Sequence, residues 1–150
     1  MKTMMIQKVR DSIFKVMETM FYFTVEENKD LPENPGALFD METLRACRVS
    51  FSGDQAGNIF LLIPDHILAD ITRNFLGEDR QDLPEELTDG TLKEALNMIA
   101  GSALSQFDKT GYMGLGIPEM VNPGDLEMTP EMVAFETGQG LMAAYVSLDA

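Results

Sequence analysis

The chain has 150 residues, 45% of them hydrophobic, which suffices for one domain with a sizeable core and is too short for two. Its formal net charge of −14 excludes DNA, RNA and anionic membrane surfaces as partners, since those are recognised by clustered Lys and Arg. A single cysteine permits no internal disulfide, and no window approaches the ~20 apolar residues of a membrane span, so the expected compartment is the cytoplasm.

In chain order, residues 4–26 carry Ile6, Val9, Ile13, Val16, Met20 and Phe23 at three- and four-residue spacing. That spacing predicts a long helix with one apolar stripe, leaving Lys8, Asp11, Lys15, Glu18 and Tyr22 on its other side. Residues 28–43, which include Pro32 and Asn34-Pro35-Gly36, read as a loop. Residues 45–52 and 58–63 are rich in Val, Phe, Ile and Leu and flank Gly53-Asp-Gln-Ala-Gly57, a hairpin signal. Cys47 falls in the first of these strands, where a small buried hydrophobe is the expected role. Pro64-Asp65 then opens a helix that turns Ile67, Leu68, Ile71, Phe75 and Leu76 inward and stops at Gly77. An acidic segment, residues 78–86, leads into a long helix over 85–109. Residues 111–121, 132–137 and 141–148 are strand candidates, the last two joined at Gly138-Gln-Gly140. The run 141–148 is apolar throughout and would be left as an exposed edge unless another strand pairs with it.

The helix over 85–109 holds the most informative pattern. With Ile99 toward the core and about 100° per residue, Leu92, Leu96, Ala103 and Phe107 fall within roughly 80° of it. Gly90, Glu94, Asn97, Gly101 and Asp108 cluster on the opposite side, with a glycine one turn before and one turn after the Glu/Asn pair. Glycine in a helix interior costs up to about 1 kcal/mol relative to alanine, but it lets another backbone come close. By residue type alone, an exposed Glu is ordinarily a solvated residue and an exposed Asn merely a poor helix former.

Other candidate chemistry falls away. His66 is the one histidine and Cys47 the one cysteine, so a zinc cluster cannot be assembled. Asp89-Gly90 suggests the end of a calcium loop, but ligand positions would then fall on Leu87 and Leu96. Gly111-Tyr-Met-Gly114-Leu-Gly116 follows a helix and enters a strand, the reverse of the dinucleotide fingerprint. His66, at a helix start, suits a capping or surface role. Met17 and Met20 lie near the apolar stripe, whereas Met98 projects toward the polar side beside Asn97.

Taken together, Phe75-Leu-Gly77, an acidic spacer, Glu94-x-x-Asn97-Met-Ile-Ala-Gly101 and Gly116-Ile-Pro118-Glu-Met-Val121 resemble the chemotaxis phosphatases of the CheX and CheC group, most clearly over residues 65–121. Two positions depart from that pattern. Gly90 stands where the family often has Asp or Ser, with Asp89 one place early, and Pro118 follows Asn97 sooner than in CheC. The resemblance implies an α/β (α+β) CheC-like fold: pseudo-duplicated helix-plus-antiparallel-strand units with long helices packed on one sheet. Aligning Glu18-Thr-Met-Phe21 with Glu94-Ala-Leu-Asn97 leaves the amide in the second half alone. The implied activity is hydrolysis of the aspartyl phosphate of a CheY-like response regulator. Asn97 would place the attacking water, Glu94 would dock on the regulator's lysine, and Gly90, Met98 and Gly101 would line the contact. The chain would need no cofactor of its own, since magnesium would belong to the regulator, and similarity to CheX implies a homodimer. The rival readings are a non-catalytic regulator-binding adaptor and a structural component akin to the flagellar switch proteins.

Overall fold

Helix α1 (Lys2–Met20) buries Met5, Val9, Ile13, Val16 and Met17 in the computed structural model, which describes residues 2–106 and 114–149. It ends before the apolar spacing would end it. Tyr22 adopts left-handed backbone (φ 53°), and the Phe23 N–H turns back to the Met17 carbonyl at 2.9 Å. Met20 is consequently exposed, while Phe21 is wholly buried and its ring meets Phe75 at a centroid distance of 5.1 Å. Strand β1 (Glu26–Asn28) follows where helix and loop were expected, and Pro35–Leu38 forms a 3-10 turn within the remaining loop.

Strands β2 (Leu44–Ser52) and β3 (Gly57–Pro64) form the expected antiparallel hairpin. Helix α2 (Asp65–Leu76) starts at once from β3 and ends at Gly77, whose φ of 68° sits in the region that favours glycine. His66, exposed in its first turn, donates from Nε2 to the Gln139 carbonyl at 2.7 Å and so ties a distant turn to this helix. Helix α3 (Glu85–Ser105) carries Glu85 and Glu86 in its first turn, where the helix dipole favours carboxylates. Its expected continuation to 109, with Phe107 and Asp108, lies outside the described residues, as does the start of the next strand candidate at Gly111.

That candidate is divided into β4 (Gly114–Leu115) and β5 (Glu119–Val121), both paired to β2. Strands β6 (Val133–Glu136) and β7 (Leu141–Leu148) complete an antiparallel sheet of order β1-β6-β7-β3-β2-β4, with β5 also on β2. β7 is therefore not an edge: β3 and β6 flank it, and both its faces are covered, which is why it reads as a continuous apolar run.

The topology is duplicated. Each half runs helix, short strand (β1 in the first, the divided β4 and β5 in the second), then an antiparallel strand pair; β3 and β7 meet at the centre, and each half's short strand crosses to pair with the other half's outer strand. One face of the sheet, with Cys47, Val49, Phe51, Ile59, Leu61, Ile63, Phe135, Met142, Ala144 and Val146, packs under the three helices as the main core. The opposite face is covered by loops through Phe39, Leu126 and Met128 over Leu44, Phe60 and Leu62. Among the described residues, no helix is long and apolar enough to cross a membrane.

Candidate functional site

Helix α3 is wedged between the sheet and α1, and two walls bury a wider arc of it than one would. Thr91, Leu92, Ala95, Leu96, Ile99, Ala100, Ala103 and Leu104 are all buried. Where α1 and α3 meet, the Ser12 hydroxyl donates to the Ser102 hydroxyl at 3.2 Å. The strip that remains in solvent contains Gly90, Glu94, Asn97 and Gly101, four of the five positions that periodicity placed together; the fifth, Asp108, lies outside the described residues. Met98 lies beside Asn97 but is half-buried, part of its side chain packed on the main core.

The fold makes no internal use of this strip. Side-chain hydrogen bonds on α3 are made by Glu85, Thr88, Asp89, Thr91, Ser102 and Ser105. Glu94 and Asn97 make none with another described residue. A Cβ built on Gly90 or Gly101 would meet nothing within 4 Å, so neither glycine is required by packing inside the chain. Nor is the strip a cleft. Cavities of about 490 and 580 Å³ lie on the far sheet face by Tyr145 and beside Gly77, and the described pockets are not lined by Glu94 or Asn97.

Asp89, one place before Gly90, points elsewhere. Arg45 of β2 donates from Nη2 to Asp89 Oδ1 at 2.6 Å and to Glu85 Oε1 at 3.1 Å. This clasp fixes the start of α3 to the sheet, and it withdraws Asp89 from the exposed strip. The sequence offers little to foretell it, since β2 carries two arginines, Arg45 and Arg48, and only the fold sets Arg45 beside α3. Beneath the helix, burial pushes the Cys47 thiol up to about 12, partly offset by the Lys93 charge, so it is a packed group rather than a nucleophile. Among the described residues, no group of three or more His, Cys, Asp or Glu side chains could hold a metal ion.

In the first half of the duplication, Glu18 is exposed on α1 but Phe21, at the position matching Asn97, is 0% exposed. A family model for chemotaxis phosphatase CheX matches residues 45–137, which include β2, α3 and the Glu94/Asn97 strip. The chain belongs to the CheX family. Solved structures agree in fold at low identity. A chemotaxis protein CheX from Desulfovibrio desulfuricans superposes with a TM-score of 0.73 at 18% identity, covering 97% of this chain and 99% of that one. A CheC-like superfamily protein from Shewanella sp. PV-4 gives 0.74 at 19%, covering both chains fully at 100%. The CheX–CheY–BeF3–Mg2+ complex from Borrelia burgdorferi gives 0.73 at 15%, covering 97% of each chain. No match was found among curated proteins. The family membership and the fold thus join the geometry: a CheX-family sheet carries a helix whose solvent strip is a carboxylate and a carboxamide one turn apart.

Proposed function

We propose that the chain removes the phosphoryl group from the aspartyl phosphate of a CheY-like response regulator in the cytoplasm, with α3 laid across the regulator's phosphorylation site. The observation that carries this reading is the joint exposure of Glu94 and Asn97 on a glycine-flanked strip that the fold leaves unused. Hydrolysis needs a water in line with the scissile P–O bond. A carboxamide can accept from and donate to that water without bringing a full negative charge against the phosphoryl oxygens. Asn97 takes this role. Glu94 pairs with the regulator's active-site lysine, which orients the helix and so aims Asn97. The metal that neutralises the phosphoryl oxygens, magnesium, belongs to the regulator, as do the lysine and the phosphorylated aspartate. Family membership supports this reading, and so does the fold shared with a CheX caught in complex with CheY.

The test is to mix the chain with phosphorylated regulators of its own cell and time phosphate loss. Acceleration of at least one regulator is expected; no acceleration of any would overturn the reading. A second reading, a non-catalytic adaptor using the same strip, is favoured by one observation: Gly90 occupies the position that often bears Asp or Ser, and Asp89 is held away by Arg45. Binding without faster phosphate loss would select it. We further propose a homodimer, on the resemblance to CheX. The sheet edges it would use are short, β1 on one side and the interrupted β4–β5 on the other, and a monomeric mass by light scattering at micromolar concentration would remove it.

A further inference from the structure

Ile117 is 89% exposed, well beyond Tyr22 at 75% and Met4 at 55%, the next most exposed large hydrophobics among the described residues. A single exposed apolar side chain is unremarkable in itself; the backbone that holds this one out is not. Leu115 lies opposite Phe51 and Glu119 opposite Arg48, so the edge strand carries one more residue than β2 over this stretch. The surplus is a bulge at residues 116–118. Gly116 anchors it by donating its N–H to the Ser50 carbonyl at 2.7 Å. A Cβ there would lie 2.4 Å from Ser50 Oγ and 3.3 Å from the Ser50 carbonyl, so glycine lets the strands approach without turning Ser50 aside. Pro118 restricts Ile117 to extended backbone and removes one edge N–H, so the segment is stiff and a poor template for an added strand. The edge presents a fixed apolar side chain instead.

The bulge lies on the sheet edge that flanks α3. Arg45 of β2 bonds Glu85 and Asp89 at the start of α3, and Leu115 and Met120, on either side of the bulge, pack against the same main core as Met98 of α3. In the register, the bulge falls opposite Val49 on the outer side of β2.

We infer that Ile117 is a second, apolar anchor for the phosphorylated regulator, seated against an apolar patch next to its phosphorylation site; this rests on the reading of α3 as the regulator-docking helix. A specific interface buries about 800 Å² per partner, more than one helix strip supplies, and its binding energy concentrates in desolvated apolar or aromatic anchors. The strip of Gly90, Glu94, Asn97 and Gly101 offers none, and Met98 is half-committed to the core. Ile117 supplies one, and because Pro118 stiffens its backbone, little freedom is lost on docking.

The test is calorimetric titration of the full chain with its regulator loaded with beryllium fluoride and magnesium. Ile117→Asp should raise Kd about tenfold or more, Ile117→Leu should stay within about threefold, and Leu38→Asp, an exposed apolar residue on the loop side of the sheet, should leave Kd unchanged. Urea midpoints should be the same for all, so that a weaker Kd is not a folding defect. An unchanged Kd for Ile117→Asp, with Glu94→Lys weakening binding, would overturn the anchor and leave the docking helix standing. Unchanged binding for both variants, or wild-type binding to none of the cell's regulators, would overturn the docking reading and the anchor with it.

Discussion

Replacing Gly101 with alanine should make the free chain more stable, and replacing it with a bulky residue should make the chain a poorer partner. Alanine at an exposed helix-interior glycine is worth roughly 0.8–1.0 kcal/mol by intrinsic propensity, and about 0.4–1 when the gain is counted through the unfolded chain. At both Gly90 and Gly101 an added Cβ meets nothing within 4 Å, so no steric term offsets the gain. The two sites are three helical turns apart and share no partner, so their effects should add, to about 1–2 kcal/mol for the double variant. For a domain of this size that is a rise in Tm of about 3–8 °C. Urea unfolding should show a higher midpoint with an unchanged slope. Gly101→Gln should keep most of that stability and yet raise the KM for phosphorylated regulator, because its side chain occupies the space the partner's backbone enters. A destabilised Gly101→Ala would mean that the fold itself requires this glycine. A Gly101→Gln variant with wild-type KM would mean that nothing approaches there. Either result refutes the argument from unused space.

Glu94→Lys should weaken binding to the activated regulator by placing a cation against its lysine, and wild-type binding should weaken as salt rises; calorimetry showing equal affinity for both forms would count against this docking mode. Glu18→Ala should leave phosphate release within about twofold of wild type, because Phe21 is packed where a second amide would have to be presented. A loss comparable to that of removing Asn97 would show that both halves work. Stability should fall on the alkaline side. Burial raises the Cys47 thiol from 9.0 to about 12 and, with Glu127 adding to it, the Tyr145 hydroxyl from 10.0 to about 12. Between those values the unfolded chain has released protons that the folded chain retains, so the contribution is complete below pH 9 and is lost as pH rises toward 12. Urea midpoints should therefore decline above pH 9, with a shallower decline in Cys47→Ala; a flat profile would contradict the burial argument.

The parts of this fold that were legible in the sequence are those whose cause is local. Gly77 ends α2 because its left-handed backbone suits glycine, and the β2–β3 hairpin follows from two apolar runs around a glycine-bounded turn. The exposed strip of α3 was legible because periodicity alone decides which side faces the core. What was missed depends on partners distant in the chain. Glu26-Glu27-Asn28 has no strand-like alternation, and it is a strand only because β6, more than a hundred residues later, pairs with it. The end of α1 was hidden because Tyr22, rather than a glycine, takes the left-handed position. Whether β7 would be an edge was left open, because an apolar run does not name the strands beside it; β3 and β6 pair with it, and both its faces are covered. At the site, the Arg45–Asp89 clasp and the bulge that presents Ile117 both depend on the register of β2, which composition does not reveal.

The central claim, that Asn97 places the attacking water, is tested most directly by single-turnover phosphate release from a phosphorylated regulator saturated with Asn97→Ala. The account predicts that release falls on the order of a hundredfold or more, while Kd for the regulator and the urea midpoint stay near wild type. Near-wild-type release by Asn97→Ala at saturation would contradict it.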